Sequence, residues 1–279
     1  MTPRILTALA AATGALALPA AAQATVYCVD EPTCVGVDTA TVAQALDEAD
    51  GNGQTDVVRI GPGTFSGTNV HHSGPERVTI IGAGKGATVL TSPSGPVLTV
   101  SGHADSEVRE LTLQLADVSG ARGLITDAKA RDVRIVHQGT QSDLAGARLL
   151  NGATLLGVEI QTGGRGVEGQ TGTNAIVRDS RITAGVTGVS VTPDVAMTVE
   201  RTTLSAGGSA VTVGGGTLNL TNAVLRGSGG NAQAVNGAGR LPRRAPRDHR
   251  GQRDQGRAGQ QRGHADVGRP ARHRRGGHL

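Results

Sequence analysis

The chain has 279 residues, 43 of them Gly, with one Tyr, one Phe and no Trp, and a formal net charge of +4. With Tyr27 and Phe65 as its only aromatics, it offers almost no flat ring surface for sugars or for stacked nucleic-acid bases, and Val, Leu, Ile, Ala and Thr must build its core. The charge is unevenly placed: from Arg240 onward there are 12 Arg and three Asp, a balance of +9, which leaves residues 1–239 at −5.

Residues 1–24 are expected to be a secretory leader. Met1-Thr2-Pro3-Arg4 is a short basic start, an apolar run follows from Ile5 to Ala22, and Ala22-Gln23-Ala24 fits a small-x-small cleavage site. No later run of 18 apolar residues follows, so no membrane-spanning helix is expected. Cys28 and Cys34 are the only cysteines, with Pro32 supplying a turn between them. In the oxidising compartment that a leader implies, they are expected to form a small local disulfide. Two cysteines without a nearby histidine give too few ligands for zinc.

From Thr41 to Ala49, the residues Val42, Ala45, Leu46 and Ala49 share one helical face, and Thr41 and Gln44 are spaced as a capping box. One amphipathic helix ahead of a series of strands has a plain job, to cover the apolar open end of a sheet stack. Strands are expected at Asp56 to Ile60 and Val78 to Ile81, with a tight turn at Gly61-Pro62-Gly63. The stretch Gly82-Ala83-Gly84-Lys85-Gly86-Ala87-Thr88 lacks the spacing of a phosphate-binding loop and is expected to be a turn.

A repeat follows. Six segments, Val108 to Leu113, Ala130 to Ile135, Leu155 to Ile160, Val177 to Ile182, Val199 to Leu204 and Leu220 to Leu225, end at steps of 22, 25, 22, 22 and 21 residues. A second run recurs between them, as Gly123-Leu124-Ile125, Gly166-Val167, Gly188-Val189-Ser190-Val191 and Ala210-Val211-Thr212-Val213. A period near 22 with short β-prone runs matches one turn of a coiled parallel sheet, with two or three strands per turn. The expected fold is all-β, a right-handed parallel β-helix over residues 25–236 with the helix as its N-terminal cap. An antiparallel sandwich is the competing arrangement, and it would not demand so constant a step.

The run from Val57 to Phe65 and then Val78 to Leu90, preceded by the helix from Thr41, resembles the opening turns of secreted bacterial proteins of the pectin-lyase-like superfamily. The resemblance covers roughly residues 36–236. It implies the β-helix fold, but that superfamily includes lyases, hydrolases, adhesins and members with no known reaction. The motifs of its polygalacturonase-like members, Asn-Thr-Asp, Asp-Asp, Gly-His-Gly and Arg-Ile-Lys, are absent. A lyase of this kind holds Ca²⁺ on carboxylates and abstracts a proton beside a uronate carboxylate.

Aligning the six repeats on their common step gives the residues available for such chemistry. The third position reads Glu110, Asp132, Gly157, Asp179, Arg201 and Asn222; the second reads Arg109, Arg131, Leu156, Arg178, Glu200 and Thr221. Two readings follow. In one, these charges form a solvated ladder, Arg134, Glu159 and Arg181 alternating in sign and Arg178 facing Glu200, each pair worth about 0–1 kcal/mol. In the other, Glu110, Asp132 and Asp179 lie near Ca²⁺, while Arg131, Arg178 and Arg181 meet the carboxylates of an acidic glycan. Gly157 interrupts the acidic row, and no cofactor is otherwise evident. His71, His72, His103 and His137 are expected to be isolated.

Beyond Gly237 the β pattern gives way to Arg, Gly, Gln, His, Pro and Asp. Residues 237–279 are expected to form a disordered basic tail. A shifted reading frame in GC-rich coding DNA yields the same vocabulary, which the nucleotide sequence across codons 225–279 tests. The expected function is a secreted β-helix protein, non-catalytic or incomplete, associated with extracellular polysaccharide. The alternatives are a lyase or hydrolase acting on acidic glycans and a charge-driven binder of anionic polymers through the tail. Nucleic acid is a poor partner without interleaved aromatics, and the oligomeric state is not legible.

Overall fold

Each repeat of the sequence turns out to be a bend between two sheets. The structure is a computed structural model. It describes residues 24–67, 70–170, 172–228 and the backbone of 235–237. Residues 1–23 and 238–279 lie outside them, and with them the leader and nearly all of the basic tail.

The chain coils through three parallel sheets in turn. Sheet 1 has ten strands; it begins with the neighbouring strands Val37–Asp38 and Val26–Val29 and ends with Thr217–Thr221. Sheet 2 has eight, from Gly63–Ser66 to Val224–Gly227, and sheet 3 has eight, from His71–His72 to Val235–Gly237. Every strand pair is parallel and joins consecutive coils, as in Val108↔Ala130↔Leu155↔Val177↔Val199↔Leu220 of sheet 1 and Leu113↔Ile135↔Ile160↔Ile182↔Leu204↔Leu225 of sheet 2. The first and last residues of the six repeats are therefore these two inward ladders. Stacked about 4.8 Å apart, most of their side chains are fully buried, and each buried Leu or Ile contributes about 1.5–3 kcal/mol.

The third repeat position is the corner between sheets 1 and 2, and it has one backbone shape. Glu110, Asp132, Gly157, Asp179, Arg201 and Asn222 all have positive φ, between 46° and 63°. Five of their amides bond a carbonyl of the next coil: Glu110 to Arg131 at 3.4 Å, and Asp132 to Leu156, Gly157 to Arg178, Asp179 to Glu200 and Arg201 to Thr221 at 3.0–3.1 Å. Gly, Asn and Asp enter this left-handed region more readily than other residues. The acidic and amide character of the row thus has a conformational cause.

Sheet 3 meets sheet 2 across a line of small residues, Gly123, Gly146, Gly166, Gly188 and Ala210. A Cβ at Gly123, Gly146 or Gly166 would lie 2.3–2.5 Å from the Cγ2 of Ile135, Ile160 or Ile182. The Gly-x-apolar run seen in the sequence is the space that the branched residues of sheet 2 occupy.

The helix spans Val42–Gly51 and buries Val42, Ala45, Leu46 and Ala49, the face expected from the spacing. Thr41 Oγ1 accepts the Gln44 amide at 3.1 Å, and Gln44 Oε1 accepts the Ala40 amide. The helix packs into the same core cluster as Val29, Val58 and Ile60, at the N-terminal end of the coil. Cys28 and Cys34 form the expected disulfide, Cα–Cα 5.9 Å, which ties the strand Val26–Val29 to the segment leading into the sheet's outermost strand.

Candidate functional site

The residues singled out from the sequence stand on two sheets and a corner. Arg131 and Arg178 are on the outer face of sheet 1, in one row but with Leu156 between them, and Arg181 is on sheet 2 beyond the corner. Arg131 Nε lies 3.7 Å from Glu107 and 3.9 Å from Asp132; Arg178 is 2.9 Å from Glu200. Arg134 and Glu159 approach to 3.9 Å, while Arg181 lines a shallow recess with Glu159, Gln161 and Thr183. These are the exposed ladder pairs of the sequence alignment, and they do not converge.

The corner carboxylates are each paired with a cation. Glu110 is 3.6 Å from Arg109, Asp132 is 3.7 Å from Lys85, and Asp179 receives a two-pronged bond from Arg201 at 2.6 and 2.8 Å. Ca²⁺ takes six to eight oxygens. Among the described residues no group of three His, Cys, Asp or Glu is placed to hold a metal. Each of these carboxylates already faces a cation, so the set does not fit the ion.

The Arg201 fork holds the Asp179 carboxyl below its ordinary value of 3.8. Lys129 does the same for Asp105, the backbone amide of Gln141 for Asp117, and the Ser119 hydroxyl for Asp143. A carboxyl with a lowered native pKa stabilises the fold above its unfolded value and loses that contribution as pH falls through the native one. Thermal stability should therefore hold from neutrality to about pH 5 and fall below about pH 4, less steeply for Asp179→Asn. Melts across that range that superimpose for wild type and variant would contradict this role for the pair.

The histidines expected to be isolated have partners, and two of them are buried. His137, buried, has Nε2 2.9 Å from Asp117 Oδ1, and its Nδ1 accepts the Gly163 amide at 3.3 Å. His72, also buried, pairs with Asp50 of the helix and lies 3.0 Å from the Glu76 carbonyl. Their partners are 20 and 22 residues away in the chain, about one coil, a distance at which stacking rather than local sequence makes neighbours.

A convergent cluster lies instead on sheet 3. Glu168 Oε2 is 3.2 Å from Arg122 Nε and 3.3 Å from Arg148 Nη2, and Glu168 Oε1 pairs with Arg165 Nη1. The inner two are well covered, with side chains 12% exposed for Arg122 and 14% for Glu168, while Arg148 and Arg165 are about a third exposed. Arg122 also donates to the carbonyls of Gly120 at 2.6 Å and Ala121 at 3.0 Å. Its Nε is off the hydrogen-bond direction to Glu168 and has no hydrogen-bond partner among the described residues. Burial lowers the Arg122 pKa, Glu168 opposes this, and Arg148 and Arg165 add to the lowering. Three cations share one carboxylate here.

Turn lengths set the surroundings. The turns into sheet 3 at 116–121 and 138–144 are long, and those at 163–164, 185–186 and 207–208 have two residues each. Asp117 binds His137 and the Gln141 amide, and Asp143 accepts Ser119, so the two long turns are fastened to each other. At the cluster opens a groove of about 560 Å³ lined by Arg148, Arg165, Glu168, Gln170, Ser190 and Thr192. A second recess, of about 410 Å³ between the start of the helix and Phe65, has no ionisable residue in its lining.

The alignment on the 22-residue step missed this cluster. One signal was present: the residue before the Gly of the recurring run, Arg122 in one coil and Arg165 in another.

No family model matches the sequence, and no curated protein does. Solved structures match by shape. The crystal structure of Escherichia coli YbhC superposes with a TM-score of 0.52 at 14% identity, over 80% of this chain and 77% of that one. Pectin methylesterase from carrot gives 0.46 at 13% identity, over 80% and 89%. A pectin methylesterase mutant in complex with a hexasaccharide gives 0.39 at 13% identity, over 79% and 71%. At 14% identity the likeness to YbhC is one of fold, and it agrees with the three stacked parallel sheets: the chain is a parallel β-helix.

Proposed function

We propose that this protein is a polysaccharide-associated β-helix that works outside the cytoplasm and holds an acidic glycan over sheet 3. The observation that carries this is the convergence of Arg122, Arg148 and Arg165 on Glu168 at an open groove. Guanidinium forks match planar carboxylates, and one shared Glu leaves the cluster with a surplus of two positive charges. Gln170, Ser190 and Thr192 supply amide and hydroxyl groups for a polyhydroxylated ligand. Glu168 is engaged by all three cations, so the arrangement favours binding and orientation over acid–base chemistry. The disulfide, with the leader-like start of the chain, supports an oxidising location, and no helix among the described residues is long and apolar enough to cross a membrane.

Calorimetry of the full chain tests the proposal with a uronate-containing oligosaccharide and its carboxyl-reduced, neutral counterpart. The acidic form should bind at least about tenfold more tightly, a difference of 1.4 kcal/mol, and Arg148→Gln/Arg165→Gln should abolish that preference. Equal binding of both sugars would overturn the reading. A preference retained in the double variant would move the binding to the arginine-rich stretch 240–279.

A further inference from the structure

Sheet 3 presents two outward rows, and their chemistry changes along the axis. One row runs Arg122, Ala145, Arg165, Thr187, Ser209, and the other Ile125, Arg148, Glu168, Ser190, Thr212. Charge ends with the strand Arg165–Gly169. The next two coils show only hydroxyls: Thr187 and Ser190, then Ser209 and Thr212, all half-buried, none with a hydrogen-bond partner among the described residues. Ser190 already lines the groove that holds Arg148 and Arg165, so the hydroxyl surface continues the site.

The two directions along the axis differ. The two long fastened turns lead into the cluster's own strands, and toward the N-terminal coils the rows continue as Pro96 and, through Ile125, Thr99. On the other side the strands Thr187–Val191 and Ser209–Val213 are entered by turns of two residues, at 185–186 and 207–208. A ligand anchored at the arginines and running toward the C-terminal coils meets only hydroxyls in these rows for two coils, about 10 Å. A carboxylate placed over Ser and Thr there would lose hydration with no cation to replace it.

Resting on the reading of sheet 3 as a glycan site, we infer that the ligand is an acidic heteropolysaccharide segment, one carboxylate-bearing sugar at the arginine cluster followed by neutral sugars across Thr187, Ser190, Ser209 and Thr212. A homopolymer of uronates does not fit this surface.

Calorimetry of the full chain with three tetrasaccharides of equal length decides it: one with a single terminal uronate, one with four uronates and one neutral. The single-uronate form should bind about tenfold more tightly than the four-uronate form. Ser209→Ala/Thr212→Ala should weaken the single-uronate tetrasaccharide several-fold while leaving a free uronate monosaccharide unaffected. Equal or tighter binding of the four-uronate form, or no effect of the double variant, overturns this inference and leaves the arginine site standing. Failure of every carboxylated sugar to bind overturns the site and this inference with it.

Discussion

Gly166→Val should cost the fold about 3 kcal/mol or more, a large share of the roughly 5–15 kcal/mol that holds a typical domain together. A Cβ at Gly166 would stand 2.3 Å from Ile182 Cγ2 and 2.5 Å from the Gly188 carbonyl oxygen. Neither can give way easily: one is a methyl in a fully buried ladder, the other is backbone between two paired strands. Overpacking commonly costs about 1–3 kcal/mol, and Val adds two methyls beyond the clashing carbon. The same ladder supplies its own control. Gly188 faces Leu204 rather than an Ile, and Ala210 occupies the next position after it, fully buried, so the ladder already accommodates a Cβ there. Ala210→Gly should therefore change stability by only about 0.5–1 kcal/mol. Urea midpoints for the two variants measure both, and a Gly166→Val protein that unfolds with the wild type would show that the ladder is not the constraint.

The second large effect is expected at Glu168, where two readouts should move in opposite directions. Replacing it with Gln removes the charge that three guanidiniums share, and Arg122, only 12% exposed, loses its nearest carboxylate. The ligand-free protein should be destabilised by roughly 1–3 kcal/mol. A carboxylate from the ligand would then take the vacant role, so affinity for an acidic oligosaccharide should rise about tenfold. Thermal shifts with and without the sugar test both halves. A variant with lowered affinity would mean that Glu168 touches the ligand itself rather than competing with it.

The stack of sheets 1 and 2 was legible because the bend between them has constant length. The segments ending at Leu113, Ile135, Ile160, Ile182, Leu204 and Leu225 keep one length of six residues since nothing is inserted at the corner. Sheet 3 was legible only in its inner Gly and Val positions. The turns entering it shrink from seven residues at 138–144 to two at 163–164, so Arg122, Arg148 and Arg165 fall 26 and 17 residues apart and drop out of any alignment on a step of 22. The acidic row misled for the opposite reason. Glu110, Asp132 and Asp179 do line up, but what aligns them is the backbone angle of the corner, and Gly157 belongs to the row as fully as they do.

That corner has a further consequence. Left-handed angles are the mirror image of the ordinary helical basin, so an L-residue there is matched to the wrong hand, at roughly 1–2 kcal/mol for residues other than Gly. In a chain assembled by chemical ligation, a D-amino acid placed at position 132 or 179 would find its own preferred geometry. The β-helix, built otherwise from L-residues, keeps one line along its length where inverted chirality is the better fit.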